Sequence, residues 1–161
     1  MSIAYLLIGG NLNDRKAMLA KSVLMIEQQI GKLINVSSIY ETEPWGFETG
    51  NSFLNQVLKV ETGLSPQQLL NEIFIIEKSL GRVRKSLHFE SRVIDIDILF
   101  YDDEIIYEEN LEIPHPLLHR RRFTLEPLAE IAGDMMHPVL LKTIDTLLNE
   151  CDDPLKVIKF K

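Results

Sequence analysis

Residues 92–100, Arg92-Val93-Ile94-Asp95-Ile96-Asp97-Ile98-Leu99-Phe100, constrain this chain more than any other stretch. β-Branched and aromatic residues dominate it, and Ile94, Ile96 and Ile98 alternate with Asp95 and Asp97 at period two, which reads as a β-strand. The isoleucines then face a core, and both carboxylates leave the opposite face about 6.5 Å apart along the strand. Such alternation commonly marks a half-buried strand with a solvated outer face. Aspartate is nonetheless depleted in strands, and like charges on one face repel, so Lys or Thr would suit a solvated face better. Two carboxylates placed this way can share a pair of hard cations. Mg²⁺ is the natural candidate, since it prefers oxygen ligands and keeps water and phosphate oxygens in its shell.

The rest of the composition narrows the ligand. At 161 residues the chain is long enough for one domain with a full core, covering 1–161. Hydrophobic residues at 45% and charged residues at 25% are ordinary for a folded protein. A net charge of -7 argues against a nucleic-acid partner, because phosphate backbones select basic surfaces. Yet seven of the 17 Lys and Arg crowd into two places, Arg82, Arg84, Lys85 and Arg92, then Arg120, Arg121 and Arg122. Local anion sites on an acidic protein suggest a small phosphorylated ligand. No apolar run approaches membrane-spanning length and the N-terminus lacks a signal core, so neither membrane association nor export is expected and the location predicted is cytoplasmic. The single Cys151 has no partner for an internal disulfide and reads as a bystander.

Along the chain, the nearly continuous apolar run 2–9 closed by Gly9-Gly10-Asn11 predicts a central strand buried on both faces. Asn13 is placed to cap a helix with Leu19, Val23, Ile26 and Ile30 on one face and Gly31 as its stop. Residues 34–42 predict a second strand. The loop that follows carries Pro44, Trp45 and Phe47, whose aromatics either tuck onto the core or await a ligand. Residues 53–61 predict a third strand with Leu54, Leu58 and Val60 inward and Phe53 and Asn55 on the other face. Ser65-Pro66-Gln67-Gln68 reads as a capped helix start, with Leu69, Ile73, Ile76 and Leu80 on its buried stripe and Gly81 as its stop. Residues 81–91 are basic and aperiodic, a loop. The order strand, helix, strand, strand, helix, strand predicts an α+β, ferredoxin-like βαββαβ core, with both helices on one sheet face and the other face open. Downstream, Ile113-Pro114-His115-Pro116 is extended; a helix is expected over 125–131 and a packing helix over 140–148. His115 and His119 without further ligands make a poor zinc site.

The stretch His88-Phe89-Glu90-Ser91-Arg92-Val93-Ile94-Asp95-Ile96-Asp97-Ile98-Leu99 resembles the signature of the hydroxymethyl-dihydropterin pyrophosphokinases of folate biosynthesis. Supporting pieces follow in order: Gly9-Gly10-Asn11, Ser38-Ile39-Tyr40-Glu41-Thr42, Phe53-Leu54-Asn55, Gly81-Arg82-Val83-Arg84, Pro114-His115-Pro116 and Arg121-Arg122-Phe123. The likeness thins after Ile131. It implies transfer of the terminal pyrophosphoryl group of ATP to the hydroxymethyl oxygen of 6-hydroxymethyl-7,8-dihydropterin, yielding AMP; a monomer is expected. By the same resemblance, Asp95 and Asp97 hold two Mg²⁺ that bridge the ATP phosphates, and Arg82 and Arg92 engage the transferring group. Arg84, His115 and Arg121 contact ATP, and Ile98 lies beside the adenine. Phe53 and Phe123 sandwich the pterin next to Asp95, while Asn55 and the backbone of Thr42, Pro44 and Trp45 read its polar edge. Loops 45–51 and 82–91 are expected to close over the ligands. The chain departs from the family pattern at Phe89-Glu90-Ser91, where Trp-Gly-Pro is common, and at Gly10, where Ser is usual. Its length leaves no room for the neighbouring folate-pathway domains fused to some relatives.

Overall fold

The computed structural model describes residues 1–12, 14–42, 52–81 and 94–161. The expectations for the loops 45–51 and 82–91 lie outside the described residues. Strand β1 (Ser2–Gly10) is the central strand that its apolar run predicts. Ala4, Leu6 and Ile8 enter one hydrophobic cluster, and Tyr5 and Leu7 enter a second on the opposite face.

The first cluster is closed by helices α1 (Arg15–Gln29) and α2 (Pro66–Ser79), through Leu19 and Ile26 of one and Leu69, Ile73 and Ile76 of the other. The cap of α1 is Asp14 rather than the expected Asn13, its carboxylate accepting from the Ala17 N–H at 3.1 Å. Gly31 does more than stop that helix: it is the first residue of β2 (Gly31–Val36) and pairs at once with Thr62. In α2 the expected capping box is present, Gln68 N–H to Ser65 Oγ and Ser65 N–H to Gln68 Oε1. Gly81, at φ +95, lies just past its end, where a left-handed residue is needed.

The strand predicted over 34–42 is two strands, β2 and β3 (Tyr40–Thr42), both antiparallel to β4 (Phe53–Thr62). Three residues separate Val36 from Tyr40, whereas two separate their partners Leu58 and Asn55, so one residue is extra. The break is held by side-chain chemistry, since the Ser37 N–H donates to the Val57 carbonyl and the Ser37 hydroxyl accepts from the Val57 N–H, each at 2.9 Å. An unpaired extra residue turns the strand over. Val36 pairs with inward Leu58, and Tyr40 pairs with Asn55 on the other face.

Strand β5 (Asp95–Tyr101) lies antiparallel to β1 on its other side, with a second irregularity between Tyr5↔Phe100 and Leu6↔Ile98. The sheet order is β5-β1-β4-β3, with β2 also on β4 and β8 (Val157–Lys159) outside β3. This is the predicted ferredoxin-like order with a terminal strand added; three residues are too short to show a period. A hairpin of β6 (Ile106–Glu108) and β7 (Leu111–Ile113) follows β5, for the same reason unforeseen.

The second sheet face is not open as expected. Helices α3 (Arg122–Ala132) and α4 (Ile144–Glu150) lay Leu125, Leu128, Ile144 and Leu147 over Tyr5, Leu7, Val57, Leu99 and Phe100. Those strand residues are apolar on that face, and leaving them wet would forfeit the burial that stabilises a sheet. The terminal helix starts later than 140 because Thr143 caps it, accepting from the Thr146 N–H at 3.2 Å. Leu128 is 0% exposed in this second cluster. Leu128→Ala should therefore lower the unfolding free energy by about 2–5 kcal/mol in a urea titration, and a loss under about 1 kcal/mol would contradict the covered face.

Candidate active site

Antiparallel register places residues that face each other on one side of a sheet. Asp95 faces Gly9, Gly9 faces Asn55, and Asn55 faces Tyr40, which makes one row across four strands. Asp97 faces Leu7 in the next row, and Phe53 faces Thr42 on the far side. The two carboxylates thus share a face with Phe53, Asn55 and Thr42, a relation the sequence had left open. Gly9 is indispensable to the row: a Cβ there would overlap the Asn55 amide oxygen, so the bare backbone lets that side chain lie across β1. Asn55 is 5% exposed and Thr42 2%. Among the described residues, the Thr42 hydroxyl is buried without a hydrogen-bond partner, an orphaned polar atom beside Phe53.

The next wall comes from the segment after β7. The His115 N–H donates to the Leu99 carbonyl at 3.0 Å, pinning that segment to β5 at its irregularity. The Leu117 N–H donates to His115 Nδ1 at 3.1 Å, so a neutral imidazole carries its proton on Nε2. Burial, and then the positive charge of Arg121, push His115 down to about 4 against the opposing pull of Asp95. The same influences place Arg121 and Asp95 each within electrostatic reach of His115. Arg121 is the residue before α3, and its guanidinium lies over the Phe123 ring, 5.5 Å from the centroid.

Other predicted residues fall elsewhere. Ile98 is 6% exposed in the cluster under α1 and α2, on the face opposite the carboxylates. The basic run at 120–122 does not act as a unit. Arg120 is exposed, and Arg122 bonds the Cys151 carbonyl at 2.9 Å and the Asp153 carbonyl at 3.3 Å, tying down the C-terminal segment. Pro44, Trp45, Arg82, Arg84 and Arg92 lie outside the described residues.

Three supports were missed. Glu130 of α3 accepts from the Tyr40 hydroxyl at 2.7 Å and the Ser38 N–H at 2.8 Å, bracing α3 against β3. Burial and the neighbouring Glu130 push the Tyr40 phenol upward. Arg15 joins Glu41 at 3.2 Å and the Ser52 carbonyl at 3.0 Å, clasping the stems of β3 and β4 beside Thr42 and Phe53. Glu77, 2% exposed, accepts from the Ile96 N–H at 2.9 Å. Its signal was in the sequence, an acidic residue four past Ile73 on the buried stripe of α2.

No group of three His, Cys, Asp or Glu among the described residues could hold a metal. A cation at Asp95 and Asp97 would therefore complete its shell with water and ligand oxygens. Carboxylate pairs of this kind suit Mg²⁺ with a polyphosphate, so the donor set fits.

Fold and site together define a ferredoxin-like α+β protein with an acidic pair, a neutral histidine and an arginine along one half-covered sheet face. The chain belongs to the 7,8-dihydro-6-hydroxymethylpterin-pyrophosphokinase (HPPK) family, whose model matches residues 5–133. It is similar to the 2-amino-4-hydroxy-6-hydroxymethyldihydropteridine pyrophosphokinase of Aquifex aeolicus, 40% identical over 144 residues, 89% of each chain. The Bacillus subtilis enzyme of the same name is 41% identical over 131 residues, 81% of this chain and 78% of that one. The crystal structure of Plasmodium falciparum HPPK-DHPS wild type with SDX-DHP matches 93% of this chain with a TM-score of 0.75 and 22% identity. This chain spans 43% of that longer one, and at such identity the likeness speaks for the fold.

The depressed His115 has a consequence for stability. Its folded value, about 4, lies below the ordinary 6.5, so between these values the unfolded chain binds more protons. Stability contributed by neutral His115 is present above about 6.5 and is lost as pH falls through about 4. His119 and His137, lowered chiefly by burial, act in the same direction. His115→Gln should flatten the fall in stability on acidification. An NMR titration of wild-type His115 should find it neutral at pH 6, and a midpoint near 6.5 would refute the burial argument.

Proposed function

We propose that this chain transfers the terminal pyrophosphoryl group of ATP to the hydroxymethyl oxygen of 6-hydroxymethyl-7,8-dihydropterin, a step of folate biosynthesis. The observation that carries this reading is the register, which gathers Asp95, Asp97, Asn55, Phe53 and Thr42 on one face. In this reaction the hydroxyl oxygen bonds the β-phosphorus, the bond from that phosphorus to the α,β-bridging oxygen breaks, and AMP departs. Two Mg²⁺ held by Asp95, Asp97 and the phosphate oxygens would neutralise the charge that otherwise repels the attacking hydroxyl.

The chain's own residues position and neutralise. Arg121 supplies a fixed positive charge near His115, suited to phosphate oxygens. His115, held by burial well below the ordinary histidine value and with Nδ1 engaged, offers Nε2–H as a donor to phosphate. The buried Thr42 hydroxyl and the Asn55 amide suit the polar edge of a pterin, and the rings of Phe53 and Phe123 suit its faces. Arg82 and Arg92 at the transferring group, Arg84 at ATP, and Pro44 and Trp45 at the pterin rest on the sequence resemblance. The same proposal includes a monomer acting in the cytoplasm, one domain over 1–161, and neither nucleic acid nor membrane as partner. Among the described residues no helix is long and apolar enough to cross a membrane.

Incubation with ATP, Mg²⁺ and the pterin should release AMP together with a pyrophosphorylated pterin, only when pterin is present; ADP as the main nucleotide would overturn the reading. Asp95→Asn and Asp97→Asn should each abolish most turnover with the fold intact by circular dichroism, since an amide contributes less charge to bound metal. Phe123→Ala should weaken pterin binding about 2- to 12-fold, the worth of a stacked ring, and leave ATP binding nearly unchanged in calorimetry.

A further inference from the structure

We infer that Glu77 is a positioning residue for the Asp95 and Asp97 pair, acting through the backbone of Ile96 from the far side of the strand. The inference rests on the reading of that pair as the metal site. Among the described residues strand β5 is an edge strand, first in the order β5-β1-β4-β3. Asp95 and Asp97 face β1 at Gly9 and Leu7, and antiparallel pairing alternates, so the intervening Ile96 can turn its N–H outward from the sheet. Outward N–H groups of an edge strand otherwise bond water or another chain. Here the Ile96 N–H meets the Glu77 carboxylate at 2.9 Å in a buried bond.

That bond has leverage on the site because of where it falls. The Ile96 N–H belongs to the peptide plane that joins Asp95 to Ile96, so its orientation sets the backbone torsions on the Ile96 side of Asp95 and the Asp95 side of Ile96. Further along, the His115 N–H donates to the Leu99 carbonyl at 3.0 Å. The outer edge of β5 is thus held at two points, on either side of Asp97. The aspartates themselves repel each other, and a strand free to twist at its edge would let them splay. Glu77 also sits where packing would favour a hydrocarbon. Its neighbours on the stripe of α2, Ile73 and Ile76, are 1% and 0% exposed in the first cluster, and a leucine in that position would fill the space without burying a carboxylate. The Ile96 N–H is one group that the charge kept there against the cost of desolvation holds.

Glu77→Leu removes the acceptor, Glu77→Gln keeps one, and Ile73→Ala weakens the same helix without touching Ile96. In wild type and each variant, calorimetry with Mg²⁺ and a non-hydrolysable ATP analogue measures the metal dependence of binding. Hydrogen exchange of the Ile96 amide reports the bond directly. We expect Glu77→Leu to raise the half-saturating Mg²⁺ about 10- to 100-fold, the usual scale for loss of an outer contact that orients a metal ligand. Glu77→Gln should stay close to wild type in Mg²⁺ requirement, and Ile73→Ala should lose stability with its Mg²⁺ requirement unchanged. If Glu77→Leu does not fold, the comparison moves to Glu77→Met, which has similar volume and no comparable acceptor, and to Ile96 exchange in Glu77→Gln, expected to be slow as in wild type. An unchanged Mg²⁺ requirement in a folded acceptor-free variant overturns the inference alone, as does fast Ile96 exchange in the wild-type protein. Wild-type binding that ignores Mg²⁺ overturns the metal reading and the inference with it.

Discussion

The burial of β1 on both faces is the constraint on which the rest of the structure depends. Ala4, Leu6 and Ile8 require α1 and α2, and Tyr5 and Leu7 require a second layer, which α3 and α4 supply. The hydrophobic effect drives both layers onto the sheet in proportion to the apolar area they remove from water. On the second face this driving force ends abruptly, because the residue after Leu7 on that face is Gly9, which has no side chain to cover. Beyond it the face is polar, with Asp95 on one side and Asn55 on the other. The site exists where the reason for covering the sheet runs out.

The same boundary explains how the site is walled. The segment leading into α3 must pass the end of the covered region, and it carries His115, Arg121 and Phe123 to the edge of the polar row. Its hold on the sheet combines apolar contact, through Leu118 and Leu125, with directed bonds, His115 to Leu99 and Glu130 to Tyr40 and Ser38. Polar bonds of fixed length locate a wall more narrowly than hydrophobic contact, which has no preferred direction. Arg15 adds a directed clasp of the same kind to the stems of β3 and β4.

A neutral histidine between an arginine and an aspartate is a product of this packing. The same residue in solution would be partly charged near neutrality, and the adjacent carboxylate alone would favour the charged form. Burial decides the contest, with Arg121 on the same side. The histidine is thereby suited to donate one hydrogen bond and to leave the charge balance of a phosphate site to arginine and metal.

The sequence by itself determined β1, β4 and β5, the two helices of the first layer, the α+β order and the facing of Asp95 and Asp97, because each of these depends on spacing along one segment. Period two and the capping box of α2 are local properties, and local properties survive folding when tertiary contacts agree with them. What only the tertiary structure decided depends on the relation between segments. One extra residue near Ser37 turns Tyr40 and Thr42 onto the carboxylate face, although simple alternation from Val36 would put them on the other. The half-covered second face follows from which apolar residues of three strands coincide, and no single strand states that. Glu77 was visible as an anomaly on an apolar stripe, yet its partner, the amide of Ile96, could be found only once β5 had become an edge beside α2. Register, edges and cover are set by the sum of many side chains packing at once, which is why the chain spelled out the residues of the site and the fold alone brought them together.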